Sequence, residues 1–111
     1  MTDSPFTLFS TGREALLDVL PAEAGDRVQI KRVFQGSGFR AIRISFVAGQ
    51  VMREHSTNVP ILVQVLDGEI IFRVAGESLR MPAGAIVHVE PDEVHELEAV
   101  TESHVMLIQS L

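Results

Sequence analysis

The sequence predicts an all-β domain, an antiparallel sandwich or barrel, with one short helix near its N-terminus. After Gly25, short segments rich in valine, isoleucine and phenylalanine alternate with turn residues as far as the C-terminus. Strands at such short spacing are typical of antiparallel sandwiches and barrels. Apolar residues make up 46% of the 111 residues and charged residues 22%, which is the composition of an ordinary globular domain. Helical spacing of apolar residues is found in one segment, just before Pro21.

Residues 1–24 are predicted to form an arm and the helix. Thr11 and Glu14 have the spacing of a capping box, in which each side chain bonds to the other residue's backbone N–H. Apolar residues then recur at helical spacing until Pro21 ends the run, so a helix is predicted over residues 11–20. We expect this helix to pack over one end of the domain.

Residues 25–111 are predicted to form the barrel, and the whole chain of 111 residues to be a single domain. Glycine, proline, asparagine and aspartate mark the breaks between strands, at residues 36–38, 48–49, 57–60, 67–68, 75–76, 82–84 and 90–92. Asp67-Gly68 lies between two segments of high β-propensity, which is a strong signal for a two-residue hairpin.

Side-chain alternation along the strands places two histidines inside the barrel. In the segment 94–99, two glutamates share one face, which should contact water, so His95 should face inward. If residues 53–57 are extended, His55 and Thr57 share a face. The two imidazoles come from segments far apart in sequence, and we expect them to meet within the barrel.

Composition and charge exclude several classes of function. The chain has no cysteine, which excludes disulfides, zinc fingers and thiol nucleophiles. Fifteen acidic residues against nine basic ones give a net charge of −6, so we expect no nucleic-acid partner. The chain has no apolar run of the ~18 residues that a membrane span needs, and its N-terminus lacks the pattern of a secretory signal. We therefore expect a cytoplasmic protein without a membrane partner.

Two motifs of the chain resemble those of the cupin superfamily, whose small members are double-stranded β-helix (jelly-roll) barrels. In the first family motif, a glycine and five further residues precede His-x-His, and Gly49 with His55-Ser56-Thr57 matches this pattern. In the second, the chain runs from a glycine through Pro-x-Gly to a histidine, as it does here from Gly76 through Pro82-Ala83-Gly84 to His95. The resemblance implies a double-stranded β-helix fold.

This resemblance covers about residues 40–108 and implies a metal site that the sequence keeps only in part. Cupins that bind metal usually offer two histidines and a carboxylate from the first motif and one histidine from the second. His55 and His95 match two of these four positions, and Thr57 stands at the position of the other histidine. The carboxylate position falls on Ile61 or on the residue after it, and neither side chain can bind a metal.

The sequence leaves the cofactor open. Imidazole suits zinc, iron, nickel or manganese, but two neutral ligands leave the charge of a divalent metal uncompensated in an apolar barrel. We take His55 and His95 as the candidate metal ligands. The residues expected to contact a bound molecule are His55, Thr57, Ile61, Val63, His95 and Leu97. Further side chains that could complete a metal site are Glu54, Gln64, His88 and His104, although His104, at the start of the last strand, is expected to be exposed.

The sequence is compatible with three hypotheses on the function. The leading hypothesis is a small cupin barrel that binds a modest organic molecule in its mouth, with weak, altered or absent metal. The second is a metal-dependent enzyme of the dioxygenase or isomerase type that uses His55 and His95, and the third is a non-enzymatic sensor or structural dimer. We expect a homodimer, because the arm, with a short strand over Phe6–Phe9, and the strand Arg27–Phe34 could extend a neighbour's sheet.

Overall fold

The computed structural model describes residues 4–111, which contain one helix and nine strands. The helix α1 spans Arg13–Asp18. The strands are β1 (Gln29–Gln35), β2 (Phe39–Phe46), β3 (Val51–His55), β4 (Ile61–Asp67), β5 (Glu69–Val74), β6 (Glu77–Pro82), β7 (Ile86–Val89), β8 (His95–Ala99) and β9 (Ser103–Ser110). In this described part of the chain, no helix has the length and apolar character that a membrane crossing requires.

The strands form two antiparallel sheets. One has five strands in the order β1-β2-β9-β4-β7, and the other has four in the order β3-β8-β5-β6. Most successive strands lie in opposite sheets, so the chain winds back and forth around one core, which is the connectivity of a jelly-roll. The predicted fold class, an all-β double-stranded β-helix with one short helix, is confirmed.

The hydrophobic core lies between the two sheets and follows strand alternation. In β4, Ile61, Val63 and Val65 are buried while the residues between them are exposed. Burial of a branched aliphatic side chain of this size stabilises the fold by roughly 1.5–3 kcal/mol. In β8 the burial alternates in the same way, with His95 and Leu97 inward and the glutamates turned outward, as predicted.

The prediction of a hairpin at Asp67-Gly68 is wrong. Since β4 pairs with β7 and β9 while β5 pairs with β6 and β8, this dipeptide carries the chain from one sheet to the other. Gly68 has φ of 83°. Here this conformation turns the chain from one sheet to the other, and it does not close a hairpin. The two-residue hairpin lies instead at Ala75-Gly76, between β5 and β6, where both residues have positive φ.

The N-terminal segment differs from the prediction in three details. The helix is shorter than the predicted range of 11–20. Its N-cap is Gly12, with no side-chain hydrogen bond to the cap, so Glu14 is the second helical residue rather than the third, and the capping box with Thr11 does not form. Residues 6–9 form no strand. The first three residues of the predicted arm lie outside the described residues.

Arg43 is completely buried on the outer face of the five-stranded sheet, where α1 covers it. Its Nε donates a hydrogen bond of 3.0 Å to the carbonyl oxygen of Leu16, and its Nη2 reaches those of Leu17 and Leu20. The last turn of α1 contains no basic residue, so this guanidinium supplies the positive charge that the carbonyl end of a helix favours. Burial lowers the pKa of Arg43 below its ordinary value.

His104 is buried beside Arg43, which corrects the expectation that it is exposed. Its strand β9 lies between β2 and β4, so the residue cannot fray from an edge. Nδ1 of His104 lies 3.0 Å from Nη2 of Arg43, and since a guanidinium can only donate, Nδ1 is the acceptor. The proton of the neutral ring is therefore on Nε2, which lies 3.2 Å from a carboxylate oxygen of Glu102.

Candidate functional site

Two histidines meet where β3 ends and β8 begins. His55 and His95 are direct partners in the antiparallel pairing of these strands. Their ring centroids are 4.3 Å apart, with the rings edge to face at 64°. The two imidazoles thus meet, as side-chain alternation along the strands predicts.

A β-bulge aims His55 at its partner. Met52 pairs with Leu97, and a regular register from there would put Glu54 opposite His95. The register shifts between Met52 and His55, so one extra residue of β3 is accommodated and the imidazole takes the place of the carboxylate. Bulges commonly re-aim a side chain in this way.

The imidazole of His95 is buried, with only 2% of the residue exposed, and it stacks on the ring of Phe72 at a centroid distance of 5.6 Å. Its Nδ1 lies 3.0 Å from the carbonyl oxygen of Glu93 and donates to it, so Nε2 carries the free lone pair. This buried Nε2 has no hydrogen-bond partner among the described residues. Burial lowers the pKa of His95, against the opposing effect of the bond to Glu93, and the nearby His55 lowers it further. The ring is therefore neutral at pH 7.

His55 has the same tautomer for the same reason. Its Nδ1 donates to the carbonyl oxygen of Arg53 at 2.9 Å, which leaves Nε2 as an acceptor. Each of the two rings is thus held by a backbone carbonyl two residues earlier in the chain. A tautomer fixed through one ring nitrogen sets what the other nitrogen can bind. The pair offers two acceptor nitrogens within one small region.

Three of the other residues expected to contact a bound molecule belong to the hydrophobic core, and Thr57 does not. Ile61, Val63 and Leu97 are buried members of the core cluster. Thr57 is half-buried in the turn after β3, where its hydroxyl donates a 2.7 Å hydrogen bond to the carbonyl oxygen of Val59. The structure therefore sets the two imidazoles beside an apolar core.

A cleft of about 530 Å³ has His95 in its wall, together with several acidic residues. Apart from Glu54, which the sequence offers as a reserve metal ligand, sequence reasoning missed these acidic residues as part of a site. A signal was present, since Glu54 precedes His55 and Asp92-Glu93 comes shortly before His95. It was not informative by itself, because acidic residues between strands are usually solvated.

The residues present do not fit a divalent metal held by the protein alone. Among residues 4–111, no three His, Cys, Asp or Glu side chains are grouped so as to hold a metal ion. Thr57, in the turn after β3, holds its hydroxyl against the carbonyl oxygen of Val59 and supplies no charge to a metal, and Ile61 is a hydrocarbon. His104 belongs to the Arg43 cluster, and the side chains of Gln64 and His88 are exposed on the five-stranded sheet.

Comparison with known proteins gives a family and a fold. The sequence profile described as Cupin domain matches residues 43–109. No curated protein matches the chain. Among solved structures, a cupin superfamily protein from Desulfitobacterium hafniense DCB-2 superposes with a TM-score of 0.79 at 15% identity, covering 98% of this chain and 94% of that one.

Two further solved structures show the same likeness. A conserved protein of unknown function from Streptococcus pyogenes has a TM-score of 0.77 at 19% identity, covering 98% of this chain and 90% of its own. KdgF from a Halomonas species has a TM-score of 0.71 at 22% identity, covering 75% and 77%. At these identities the likeness concerns the fold alone.

Proposed function

The chain belongs to the cupin domain family, and from that premise we propose that it binds a small organic molecule at the barrel mouth through His55 and His95. The tautomer of the two rings supports the proposal most strongly. Both Nδ1 atoms donate to backbone carbonyls, so both Nε2 atoms are acceptors, and that of His95 is buried without a partner. A buried polar atom without a hydrogen bond costs roughly 1–3 kcal/mol, which a bound donor would recover.

The acceptor character of both nitrogens defines which molecules fit. A hydroxyl, amine or amide N–H can donate to Nε2, whereas a carboxylate or phosphate presents only further lone pairs. The apolar core beside the rings, with Phe72 stacked on His95, favours a ligand with a short hydrocarbon part. We therefore propose a modest organic molecule with a hydrogen-bond donor at one end.

The proposal assigns binding to the imidazole nitrogens themselves. Two neutral nitrogens would leave the charge of a divalent ion largely uncompensated beside an apolar core. The family's metal-dependent chemistry, of the dioxygenase or isomerase type, is the alternative that the experiment must separate from simple binding.

Titration with three matched probes, followed by NMR of the protein, tests the proposal. We expect 1-butanol and butylamine to shift the resonances of His95 and its neighbours at millimolar concentrations, and butyrate to leave them unchanged. The substitution His95→Phe keeps an aromatic ring beside Phe72 but removes the acceptor nitrogen. It is expected to weaken binding of both probes about tenfold or more, since loss of a hydrogen bond of 1.4 kcal/mol corresponds to a factor of ten.

The exposed His88 supplies the matched control, because His88→Phe removes an imidazole from the other sheet and should change neither affinity. Equal binding of all three probes, or binding that survives His95→Phe, would refute the proposal. Titration with zinc or manganese alone distinguishes simple ligand binding from the metal-dependent alternative. Tight stoichiometric binding that His55→Gln abolishes would favour the metal-dependent enzyme.

We also propose that the chain forms a homodimer through β1. This strand lies at the edge of its sheet and pairs only with β2 within residues 4–111, so one row of its backbone N–H and C=O groups can pair with another chain. Ile30 in this strand is an exposed apolar residue, and so are Phe6 and Leu8 in the arm. Light scattering is expected to give about twice the chain mass of 12.2 kDa.

A further inference from the structure

We infer that the molecule bound at the histidine pair carries a carboxylate at its other end, and that Arg40 of β2 binds this carboxylate. The inference rests on the proposed function, in which His95 accepts a hydrogen bond from a donor group of the same molecule. It narrows the proposed ligand to a short hydroxy acid, held at its hydroxyl end by one sheet and at its acid end by the other.

Arg40 lies on the inner face of the five-stranded sheet. It shares that face with Ile42 and Ile44, which belong to the hydrophobic core or pack against it, because side chains two residues apart on a strand point the same way. The pairing of β2 with β9 is regular along its whole length, so no bulge reverses this orientation. Arg40 therefore points into the barrel, as its pairing partner Gln109 does.

The guanidinium of Arg40 lacks an acceptor within the described part of the chain. The residue is half-buried, and its Nε is a buried donor without a hydrogen-bond partner among residues 4–111. It takes part in none of the salt bridges of those residues. Arg43, on the outer face of the same strand, instead donates to several carbonyl oxygens. Because buried polar groups are usually paired, an acceptor supplied by a ligand would complete Arg40.

Arg40 and the histidine pair lie at the same end of the barrel. The chain turns from β2 into β3 at residues 47–50, so the start of β2 and the end of β3 both lie away from this corner. Residues 56–60 then connect His55 to Ile61, which pairs with Gln109, the neighbour of Arg40 across β9. The mouth that contains His55 and His95 in one sheet is thus bordered by Arg40 in the other.

A short molecule can span this mouth. Packed sheets lie about 10 Å apart, and both the imidazoles and the guanidinium extend from their backbones into the gap. The core between them is apolar, which suits a hydrocarbon spacer with a polar group at each end. A hydroxyl that donates to Nε2 of His95 and a carboxylate at Arg40 are the complementary ends of such a molecule.

A carboxylate fits Arg40 better than a phosphate does. It accepts two parallel hydrogen bonds from a guanidinium, and its single negative charge balances the single positive charge. A phosphate ester carries close to two negative charges at pH 7, one of which would stay uncompensated beside the apolar core. The acidic cleft at the start of β8 does not oppose this assignment directly, since no residue of the five-stranded sheet lies in its wall.

The test compares three hydroxy acids with the alcohols that have a methyl group in place of the carboxylate. The pairs are 4-hydroxybutyrate with 1-butanol, 5-hydroxypentanoate with 1-pentanol and 6-hydroxyhexanoate with 1-hexanol, so that the length of the spacer is varied. In NMR titrations at pH 7, the best-fitting acid is expected to bind about tenfold or more tightly than its alcohol, and to shift the Nε–H resonance of Arg40.

The substitution Arg40→Met keeps an unbranched apolar side chain but removes the charge and the donors. It should bring each hydroxy acid to the affinity of its alcohol or below, and leave the alcohols unchanged. Lys31→Met is the matched control, because it removes one positive charge from an exposed residue that pairs with Arg43 on the outer face of the same sheet. This control should keep the preference for the acid.

The possible failures point to different conclusions. If the alcohols bind and depend on His95 but no hydroxy acid binds more tightly, or if the preference survives Arg40→Met, the histidine site stands and the role of Arg40 is wrong. If acids and alcohols bind as well to His95→Phe as to the unmodified protein, the proposed function fails and this inference fails with it.

Thermal unfolding separates binding from a structural role of Arg40. Arg40→Met should unfold at the same temperature as the unmodified protein or higher, since its Nε makes no hydrogen bond within residues 4–111 that could be lost. A clear loss of stability in this variant would mean that the guanidinium supports the fold itself, and would overturn the inference.

Discussion

Replacing Gly68 by alanine is expected to lower the free energy of unfolding by about 2–5 kcal/mol, the sum of overpacking and of left-handed backbone strain. Gly68 has φ of 83°, a conformation that alanine resists. An added Cβ would lie 2.8 Å from Cα of Ser103 and closer still to its hydroxyl and to the carbonyl oxygen of Glu102. These are mainly backbone neighbours, so the corner between the sheets would have to move. The Ser103 hydroxyl, which bonds to both backbone groups of Glu69, would be displaced as well.

Gly49 provides the matched control for this corner. Its φ of 86° is nearly the same, but nothing lies within 4 Å of an added Cβ. Gly49→Ala therefore reports the backbone strain alone, about 1–2 kcal/mol. Urea denaturation of both variants measures the difference. Equal losses would mean that the close approach of the chain at Gly68 is not what requires glycine there.

Arg43→Met is the second substitution with a large expected effect, a loss of about 3–5 kcal/mol. Methionine fills much of the volume but cannot donate, so the carbonyls of Leu16, Leu17 and Leu20 lose their shared partner. The guanidinium also bonds to the carbonyl oxygens of Ile44 and Val105 beneath it. We expect α1 to detach from the sheet while the barrel remains folded.

Hydrogen exchange of residues 13–20 measures this detachment, and urea denaturation measures the stability. Arg32→Met is the control, since Arg32 is exposed on β1 and its guanidinium bonds, within residues 4–111, only to Gln35. That substitution should change stability by no more than about 0.5 kcal/mol. Unchanged protection of the helix in Arg43→Met would show that packing of its apolar residues, not the buried guanidinium, holds it in place.

Much of the fold could be predicted from the sequence because strand alternation is a local property. Glu96 and Glu98 alone determine that His95 faces inward, and the burial along β8 agrees. The corner at Asp67-Gly68 could not be distinguished from a hairpin, since both need a glycine with positive φ between two strands. Only the pairing of strands distant in sequence separates the two cases.

The candidate site is harder to predict from the sequence than the fold, because it depends on contacts between residues that are distant in the chain. The bulge in β3 that aims His55 has no marker in the sequence, and simple alternation from Met52 would turn Glu54, not His55, towards His95. Arg43 and His104 resemble ordinary surface residues until α1 is placed over them. The cleft collects its carboxylates from three separate segments, so no local pattern could assemble it.

The protonation of the histidine side chains tests the central claim most directly. Long-range ¹H–¹⁵N correlation spectra of the imidazoles at pH 7 should show His95 as a neutral ring with the proton on Nδ1, and His55 with its Nδ1 protonated, as their bonds to backbone carbonyls require. His104 should show the opposite tautomer, with the proton on Nε2, and so serves as an internal control. A proton on Nε2 of His95, or a charged ring there at pH 7, would remove the hydrogen-bond acceptor that the proposed ligand binding requires. Either result would contradict the account.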